Sequence, residues 1–300
     1  MAVIEVDNRK VYVEQYGKEN KDTIIYFHGG PGASCLDFIN QGKVLGTKFH
    51  VISFDQYGVM RSGSIDDNEF FGMYSHIKLI DKLREELEIS KWTVLGHSYG
   101  GMLACLYAHE YPEHMERVIY DCPCWNYVLS AKSIASFYMP YFTAHAIQEG
   151  LDACNVILKK IYENRAEVIS DLFTVLNLVQ DEKERNYLHS ISADEYRASF
   201  LPQVIPEDGW HKGNIHFQKL IDAGEILNDY LPYLKEIMCP SLLLVGKYDP
   251  VCGKDQQDHF QNNSPRSKTV LFENSGHFAR IEESKAYTQA VVDFMKTPIM

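Results

Sequence analysis

The segment WTVLGHSYGG, residues 92–101, carries the strongest structural signal in the chain. The apolar residues at its start predict a buried strand, and residues 99–110 have the pattern of a helix that stops before a proline. Ser98 therefore falls at the turn between strand and helix, with Gly96 and Gly100 on either side. Side chains at the two flanking positions would collide with the adjacent strand and helix, so this frame favours a sharp turn that exposes a nucleophile.

Strand and helix patterns alternate on both sides of this segment. Strands are predicted at 10–16, 23–29, 49–55, 92–98, 116–122, 240–246 and 267–273, and helices at 75–89, 99–110, 254–262 and from about residue 282 onward. Such alternation is typical of an α/β fold with a mostly parallel sheet and helices on both faces. Residues 126–235 instead look helical throughout and are rich in aromatic residues. We therefore predict a core formed by residues 1–125 and 236–300, with residues 126–235 inserted between its two parts.

Composition excludes several classes of function. The chain has 300 residues and a formal net charge of -12, which disfavours nucleic acid and anionic membrane surfaces as partners because both attract basic faces. No uninterrupted apolar run of about 18 residues is present, and the N-terminus lacks the basic and apolar regions of a secretory signal. We expect a cytoplasmic protein that acts on a small molecule or a short peptide.

The cysteines do not suggest a disulfide framework or a metal centre. They number seven and lie in apolar contexts, which suits reduced, buried thiols. Cys122 and Cys124 form a C-x-C pair, but no second pair or nearby histidine completes a set of four ligands. No metal is therefore predicted.

A serine nucleophile needs a base to accept its proton and an acid to orient that base. In a parallel sheet the functional side chains gather where strands end. Asp249 follows the predicted strand 240–246, and His277 follows the predicted strand 267–273. The chain order Ser98, Asp249, His277 is the order expected for a nucleophile on such a turn.

Alternatives to the acid and the base lie close by in the sequence. Asp255 and Asp258 could replace Asp249 on position alone, and His259 competes with His277. The predicted helical placement of His259 makes it less suitable. His97 adjoins the nucleophile, but its side chain is expected to point elsewhere at the turn.

Stabilising the oxyanion of a tetrahedral intermediate requires two N–H donors. One is expected from Tyr99, the residue after the nucleophile, and the other from the loop HGGPG at residues 28–32. Glycines allow the backbone to approach a substrate closely. We choose Gly30 as the second donor, with Gly29 as the alternative. This chemistry requires no metal and no organic cofactor.

Several motifs together resemble one known family. They are FHGGPG (27–32), FDQYGVMRSG (54–63), LGHSYGG (95–101), VGKYDP (245–250) and SGHF (275–278). In this order they resemble the proline iminopeptidase branch of the α/β-hydrolase fold. The resemblance implies an α/β-hydrolase fold in which Ser98, Asp249 and His277 form the catalytic triad. It also implies that residues 126–235 are a helical cap that closes over the site and sets specificity.

The chain departs from the family pattern at positions that concern shape and substrate. Family members typically read D-Q-R-G-x-G-R-S in the second motif, where this chain has Tyr57 for the Arg and Met60 for the second Gly. That loop is expected to differ in shape. Aminopeptidases of this branch bind the substrate amine with acidic residues, often one in the late cap and one directly after the triad acid. Pro250 occupies the latter position here.

In the late cap, Ile215 and His216 stand where the resemblance places the other acid. Nearby acidic candidates are Glu207, Asp208, Asp222 and Glu225. Aromatic residues of the early cap, Phe137, Tyr138, Tyr141 and Phe142, could line an apolar acyl pocket or simply pack. The candidate substrate-binding residues are Gly29, Phe137, Tyr141 and His216.

Three functions follow. The first is an aminopeptidase that removes a small or prolyl residue from the N-terminus of short peptides or cleaves aminoacyl amides. The second is a hydrolase of carboxylic esters, lactones or specialised amides with the same machinery. The third is a non-catalytic relative that binds a ligand, which the retention of all three triad residues disfavours.

Overall fold

Eight strands form one sheet in the computed structural model, which describes residues 1–179, 187–200 and 205–298. They are β1 Ala2–Val6, β2 Arg9–Tyr16, β3 Thr23–Phe27, β4 His50–Asp55, β5 Trp92–His97, β6 Met115–Asp121, β7 Ser241–Gly246 and β8 Ser267–Phe272. Their order across the sheet is β1-β2-β4-β3-β5-β6-β7-β8. β2 pairs antiparallel with β1 and β4, and all other neighbours are parallel. The predicted α/β-hydrolase fold, with its mostly parallel sheet, is confirmed.

The helices in the described ranges connect and cover these strands. They are α1 Ile39–Leu45, α2 Met73–Glu86, α3 Tyr99–Glu110, α4 Tyr127–Ala144, α5 Gln148–Lys159, α6 Glu167–Leu178, α7 Ala193–Ala198, α8 Gly209–Ala223, α9 Lys254–Asn263, α10 Ala279–Glu282 and α11 Ser284–Met295. None of them combines the length and apolar character that crossing a membrane requires.

The central strands are buried on both faces because helices cover both sides of the sheet. All residues of β3, β4, β5 and β7 are buried, and β3 serves as the example. Ile25 and Phe27 pack in the apolar cluster that includes residues of α2 and α3, whereas Ile24 and Tyr26 pack in a second cluster with residues of α11. Alternate residues of a strand point to opposite faces, so one apolar run fills two cores.

The strand predictions agree with the structure to within two residues at each end, whereas some short elements were missed. β1 was not predicted, and neither were α1 and the four-residue α10. The region 126–235 contains α4 to α8 in its described parts, and its residues 180–186 and 201–204 lie outside the described residues.

The turn between β5 and α3 has the close packing that the sequence indicates. Ser98 has φ 56° and ψ -119°, a strained conformation for a residue with a side chain. A Cβ at Gly96 would lie 2.2 Å from the carbonyl oxygen of Gly100, and a Cβ at Gly100 would lie 2.1 Å from the carbonyl oxygen of Phe27. Both neighbours are backbone atoms, so neither can move aside without shifting an element.

The loop after β4 contains Tyr57 and Met60, the two departures from the family pattern. Met60 stands at the second glycine of that pattern and still has a positive φ of 41°. A positive φ is costly for a residue with a side chain, so surrounding contacts must hold this loop. Arg61 supplies one, since its Nε donates to Asp55 at 2.6 Å and its Nη1 donates to Glu14 at 2.7 Å. The Tyr57 hydroxyl donates to the Ser64 carbonyl at 2.8 Å.

Replacing Gly100 tests the packing of the turn. We expect Gly100→Ala to lower the free energy of unfolding by about 3 kcal/mol, because the added methyl group meets strand backbone. Chemical denaturation monitored by circular dichroism measures the change. Gly63→Ala is the comparison and should lose less stability, because its Cβ would lie 3.3 Å from the Lys10 carbonyl oxygen, a tight contact but not an overlap. Equal stability of Gly100→Ala and wild type would contradict this account.

Candidate active site

Backbone hydrogen bonds hold Ser98 at the end of β5, beside the ends of the neighbouring strands. Its N–H donates to the Asp121 carbonyl at the end of β6 at 3.0 Å. Its carbonyl accepts from Gly101 at 2.9 Å and from Cys124 at 3.1 Å. The turn is therefore tied to α3 and to the segment after β6, and Ser98 lies on the wall of a cavity.

Asp249 and His277 come together from the ends of β7 and β8. The Asp249 Oδ1 accepts a hydrogen bond from the His277 Nδ1 at 2.9 Å, and both residues are buried. The same carboxylate accepts from the backbone amides of Val251 at 2.9 Å and Cys252 at 3.2 Å. With Nδ1 as the donor to Asp249, His277 presents Nε2 as a proton acceptor. His277 and Ser98 line the same cavity.

The alternative acid and base positions lie on α9. Asp255 is in its first turn, and Asp258 forms an ion pair with Lys254. The Nε2 of His259 lies 3.1 Å from the Leu231 carbonyl. None of these three residues lines the cavity, which favours Asp249 and His277 over them.

The two loops predicted to supply the oxyanion donors also meet here. Gly29, Gly30 and Tyr99 line the cavity with Ser98. A Cβ at Gly29 would lie 3.1 Å from the Ser98 Cβ, so the glycine loop passes directly beside Ser98. Tyr99 is the first residue of α3, where a helix leaves its N–H groups without partners inside the helix. Gly30 and Gly29 both remain candidates for the second donor.

The cavity beside Ser98 has a volume of about 320 Å³ and mostly apolar walls. The core contributes side chains such as Met102, Val251 and Phe278. The region between β6 and β7 contributes Tyr127, Ser130, Ile134, Leu172, Tyr187, Leu188, Tyr196 and Ile226. An acyl group that enters this cavity would therefore meet apolar and aromatic side chains on most sides.

Of the four predicted substrate-binding residues, the structure places only Gly29 on the cavity wall. Phe137 and Tyr141 are a correction: they lie on the same face of α4 as the lining residues Tyr127 and Ile134, but about one and two turns beyond Ile134. Both are partly buried against the apolar core. The periodicity of the helix identifies its inner face, but it does not say which turn of that face lies over the site.

His216 is the other correction. It is fully buried, and its Nδ1 donates to the Tyr57 carbonyl at 2.8 Å, which joins α8 to the loop after β4. Its ring centroid lies 5.2 Å from that of Phe71 and 5.4 Å from that of His76. Burial lowers the pKa of His216 to about 3. His216 therefore packs as a neutral residue and does not reach the cavity.

The late acidic candidates do not reach the cavity either. Glu207 and Asp208 are exposed, Asp222 accepts from Gln218 at 2.8 Å, and Glu225 accepts from the Tyr74 amide at 3.1 Å. Among the described lining residues the one carboxylate is that of Asp37, which sequence reasoning did not single out. It lies in a short 3₁₀ turn, Cys35–Phe38, five residues after the HGGPG loop.

Asp37 belongs to a buried network of charged side chains. Arg280 is fully buried; its Nη2 donates to Asp37, and its Nη1 donates to Asp121 at 3.0 Å. The network also includes His97, whose Nδ1 lies 3.2 Å from the Asp121 Oδ2. Burial alone would raise the pKa of Asp121, but interactions with His97 and Arg280 lower it, so this carboxylate is ionised.

The expected orientation of His97 was wrong. His97 lines the cavity, and its ring centroid lies 4.6 Å from that of His277. Burial lowers the pKa of His97 to about 4, so the ring is neutral near pH 7. A signal for this placement was available, because His97 is the last residue of a strand whose end forms the site.

Cys122, Asp249 and His277 form a group of potential metal ligands among the described residues. The Cys122 Sγ lies within 4.8 Å of ligand atoms of Asp249 and His277. Burial, however, raises the pKa of the Cys122 thiol well above its ordinary value, and metal binding requires the thiolate. The Asp249 carboxylate already accepts three hydrogen bonds. This donor set therefore does not suit a metal ion.

Comparison with known proteins agrees with the fold. The family model described as alpha/beta hydrolase fold matches residues 22–152, which include β3 to β6 and the turn at Ser98, so the fold is that of the α/β hydrolases. A proline iminopeptidase of Xylella fastidiosa (strain 9a5c) is 33% identical over 288 residues, which cover 91% of this chain and 88% of that protein. A proline iminopeptidase of Heyndrickxia coagulans is 26% identical over 300 residues, 98% of each chain.

A solved structure shows the same architecture. The proline iminopeptidase-related protein of Thermus thermophilus superimposes with a TM-score of 0.75 at 19% identity, covering 98% of this chain and 96% of that one. This chain belongs to the proline iminopeptidase branch of the α/β-hydrolase family, as the motifs indicated.

The buried neutral state of His216 makes a pH dependence of stability testable. An unfolded histidine takes up a proton near pH 6.5, whereas folded His216 does so only near pH 3. Stability is therefore lost as the pH falls from about 6.5 toward 3, by about 1.4 kcal/mol per pH unit for this one group. We expect His216→Gln, which retains an N–H donor, to show a shallower fall in the free energy of unfolding between pH 6.5 and 4.

Urea denaturation at a series of pH values measures the slope. His145→Gln, at an exposed position after α4, is the control and should keep the wild-type slope. An unchanged slope in His216→Gln would show that His216 titrates alike in the folded and unfolded chains.

Proposed function

We propose that this chain is a serine hydrolase that acts through an acyl-enzyme on Ser98. The observation that carries the proposal is the convergence of the strained Ser98 turn with the hydrogen-bonded pair Asp249 and His277 on one cavity. Three strand ends, distant in sequence, supply a nucleophile, an acid and a base in the roles such chemistry needs.

The reaction begins when the Ser98 Oγ attacks the carbonyl carbon of the substrate, while the His277 Nε2 accepts the hydroxyl proton. Asp249 holds the imidazolium through Nδ1, and the amides of Tyr99 and Gly30 bind the oxyanion. The carbon–nitrogen or carbon–oxygen bond then breaks as His277 returns the proton to the leaving group. A water molecule, deprotonated by His277, attacks the acyl-enzyme and releases the acid and Ser98.

The leading substrate is an amide with a free amino group, either the N-terminal residue of a short peptide or an aminoacyl amide. Support comes from similarity, over nearly the whole chain, to proteins named proline iminopeptidase. The cavity of about 320 Å³ suits a small acyl group of this kind.

A second candidate is an ester, lactone or amide whose acyl group carries no charge. The mostly apolar lining favours it, and so does the position of the late acidic residues away from the cavity. A buried ammonium group without a partner costs several kcal/mol, so the two substrate classes place opposite demands on this cavity.

Residues 126–235 act, in this proposal, as a cap that shapes the acyl pocket. α4 contributes Tyr127 and Ile134 to the cavity wall, and α6 contributes Leu172. The nucleophile and its partners, in contrast, all come from the core. Chemistry and specificity would thus be divided between two parts of the chain.

The substrate classes are separated by hydrolysis of matched amides with one fluorescent leaving group. The set contains prolyl and alanyl amides with a free amine, their N-acetyl forms, and a simple acyl ester series. We expect wild type to prefer the free amines and Ser98→Ala to lose at least about 10³-fold in activity on every substrate. Turnover of blocked or uncharged substrates alone would support the second candidate.

Ser98→Ala also controls for contamination by host hydrolases. Labelling with a fluorophosphonate should modify wild type at Ser98 and leave Ser98→Ala unmodified, as intact-mass measurement would show. A wild-type protein that neither turns over any substrate nor takes up the probe would contradict the proposed function.

The role of Asp249 has its own test. We expect Asp249→Asn to lower kcat by about 10³- to 10⁴-fold, because an amide that faces the His277 Nδ1 favours the wrong tautomer of the ring. Steady-state kinetics on the best substrate of the panel measures the loss. Asp258→Asn, at a partly exposed position on α9, is the matched control. A rate near that of wild type in Asp249→Asn would assign the acid to another residue.

A further inference from the structure

An acidic residue suited to a substrate amine lies within residues 1–125 and not in the inserted region 126–235. Among the described residues that line the cavity beside Ser98, Asp37 is the one with a carboxylate. Its side chain is only 12% exposed, so solvent screens its charge weakly. No Lys or Arg is among the described residues that line the cavity.

The network behind Asp37 leaves one negative charge uncompensated. Arg280 contributes one positive charge and pairs with two carboxylates, those of Asp37 and Asp121. His97, which lies beside the Asp121 carboxylate, is neutral near pH 7. One guanidinium and two carboxylates therefore sum to a single negative charge close to the cavity wall. A cation in the cavity would compensate this charge, whereas an anion would be repelled.

Asp37 also retains capacity to accept hydrogen bonds. A carboxylate offers about four acceptor positions. Arg280 occupies Oδ2, and the Tyr26 hydroxyl approaches Oδ1 at 3.4 Å, which is beyond the usual O–H···O distance. Oδ1 is thus weakly occupied. An ammonium group is a compact donor of three hydrogen bonds and could use this oxygen.

Arg280 itself is not available as a site for an anionic substrate. It is fully buried, and both terminal nitrogens already donate to carboxylates. The positive charge of the network, on Arg280, is therefore buried, whereas one of its negative charges, on Asp37, lies at the cavity wall.

From this arrangement we infer that Asp37 is the specificity-determining residue that binds a protonated amino group of the substrate acyl part. The inference rests on the proposed serine hydrolase function and adds the residue that selects among its substrates. Arg280 and Asp121 then act as positioning residues, since they hold Asp37 from behind and do not touch the substrate.

The test compares two amides with one leaving group, the alanyl amide and the isobutyryl amide. They are nearly isosteric, because a methyl group in the second replaces the ammonium group of the first. We expect wild type to favour the alanyl amide, and Asp37→Asn to reduce the ratio of the two kcat/KM values by about 10- to 100-fold, as loss of a charge-assisted hydrogen bond would. A merely structural role would lower both values and leave their ratio unchanged.

Asp222→Asn is the matched control, because Asp222 is outside the cavity and hydrogen-bonds Gln218 on α8. It should keep the wild-type ratio. A ratio in Asp37→Asn within about twofold of wild type would overturn the inference while leaving the serine hydrolase function intact.

A second measurement needs no variant and therefore does not depend on the folding of Asp37→Asn. Isobutylamine and isobutanol are compared for their ability to slow fluorophosphonate labelling of wild-type Ser98 at pH 7. We expect the cationic amine to protect at a concentration at least about 10-fold lower than the alcohol. Equal protection would contradict the amine subsite, whereas absence of labelling would contradict the proposed function itself.

Discussion

The close approach of α3 to the sheet at Gly96 and Gly100 is the constraint on which the site depends. A Cβ at either glycine would penetrate backbone, so β5 and α3 can meet at this angle only without those side chains. The turn forces Ser98 to a positive φ and places it over the ends of β5 and β6. The adjacent glycine loop can then pass beside the Ser98 side chain. The packing of α3 against β5 therefore stabilises the strained backbone conformation of Ser98.

Two carboxylates near this turn differ in how their charges are compensated. Asp249 is buried, and its carboxylate accepts hydrogen bonds from two backbone N–H groups and from the His277 Nδ1. Asp37 differs because its partner Arg280 is shared with Asp121, so its charge is only partly compensated. In the proposed mechanism the first carboxylate assists proton transfer, and in the inferred amine site the second provides the negative charge for recognition. Neutral His97 contacts both systems, through Asp121 and through the His277 ring.

Local signals in the sequence were sufficient to select three residues that the fold brings together, Ser98, Asp249 and His277. Each lies within a few residues of the end of an apolar strand, and parallel strands bring such positions to one edge of a sheet whatever lies between them. The fold class followed from the same apolar strands. β1 and α1 were missed because a short strand at the sheet edge and a helix of seven residues carry little periodicity. The substrate pocket could not be predicted in the same way, as Phe137 and Tyr141 show.

The sequence by itself determined the α/β architecture and the sharp turn at Ser98, because these depend on steric limits and burial patterns within short segments. The family was indicated separately, by the resemblance of several motifs. Tertiary structure alone decided which side chains surround the cavity. Asp37 and Arg280 are 243 residues apart in sequence, and only the folded chain brings the Arg280 guanidinium of α10 to the 3₁₀ turn after the glycine loop. Periodicity places a residue on a face of its own helix, whereas the position of that helix over the sheet results from contacts between distant segments. His216 is a further case, since the family resemblance made it a candidate for substrate binding, whereas its packing buries it in the core.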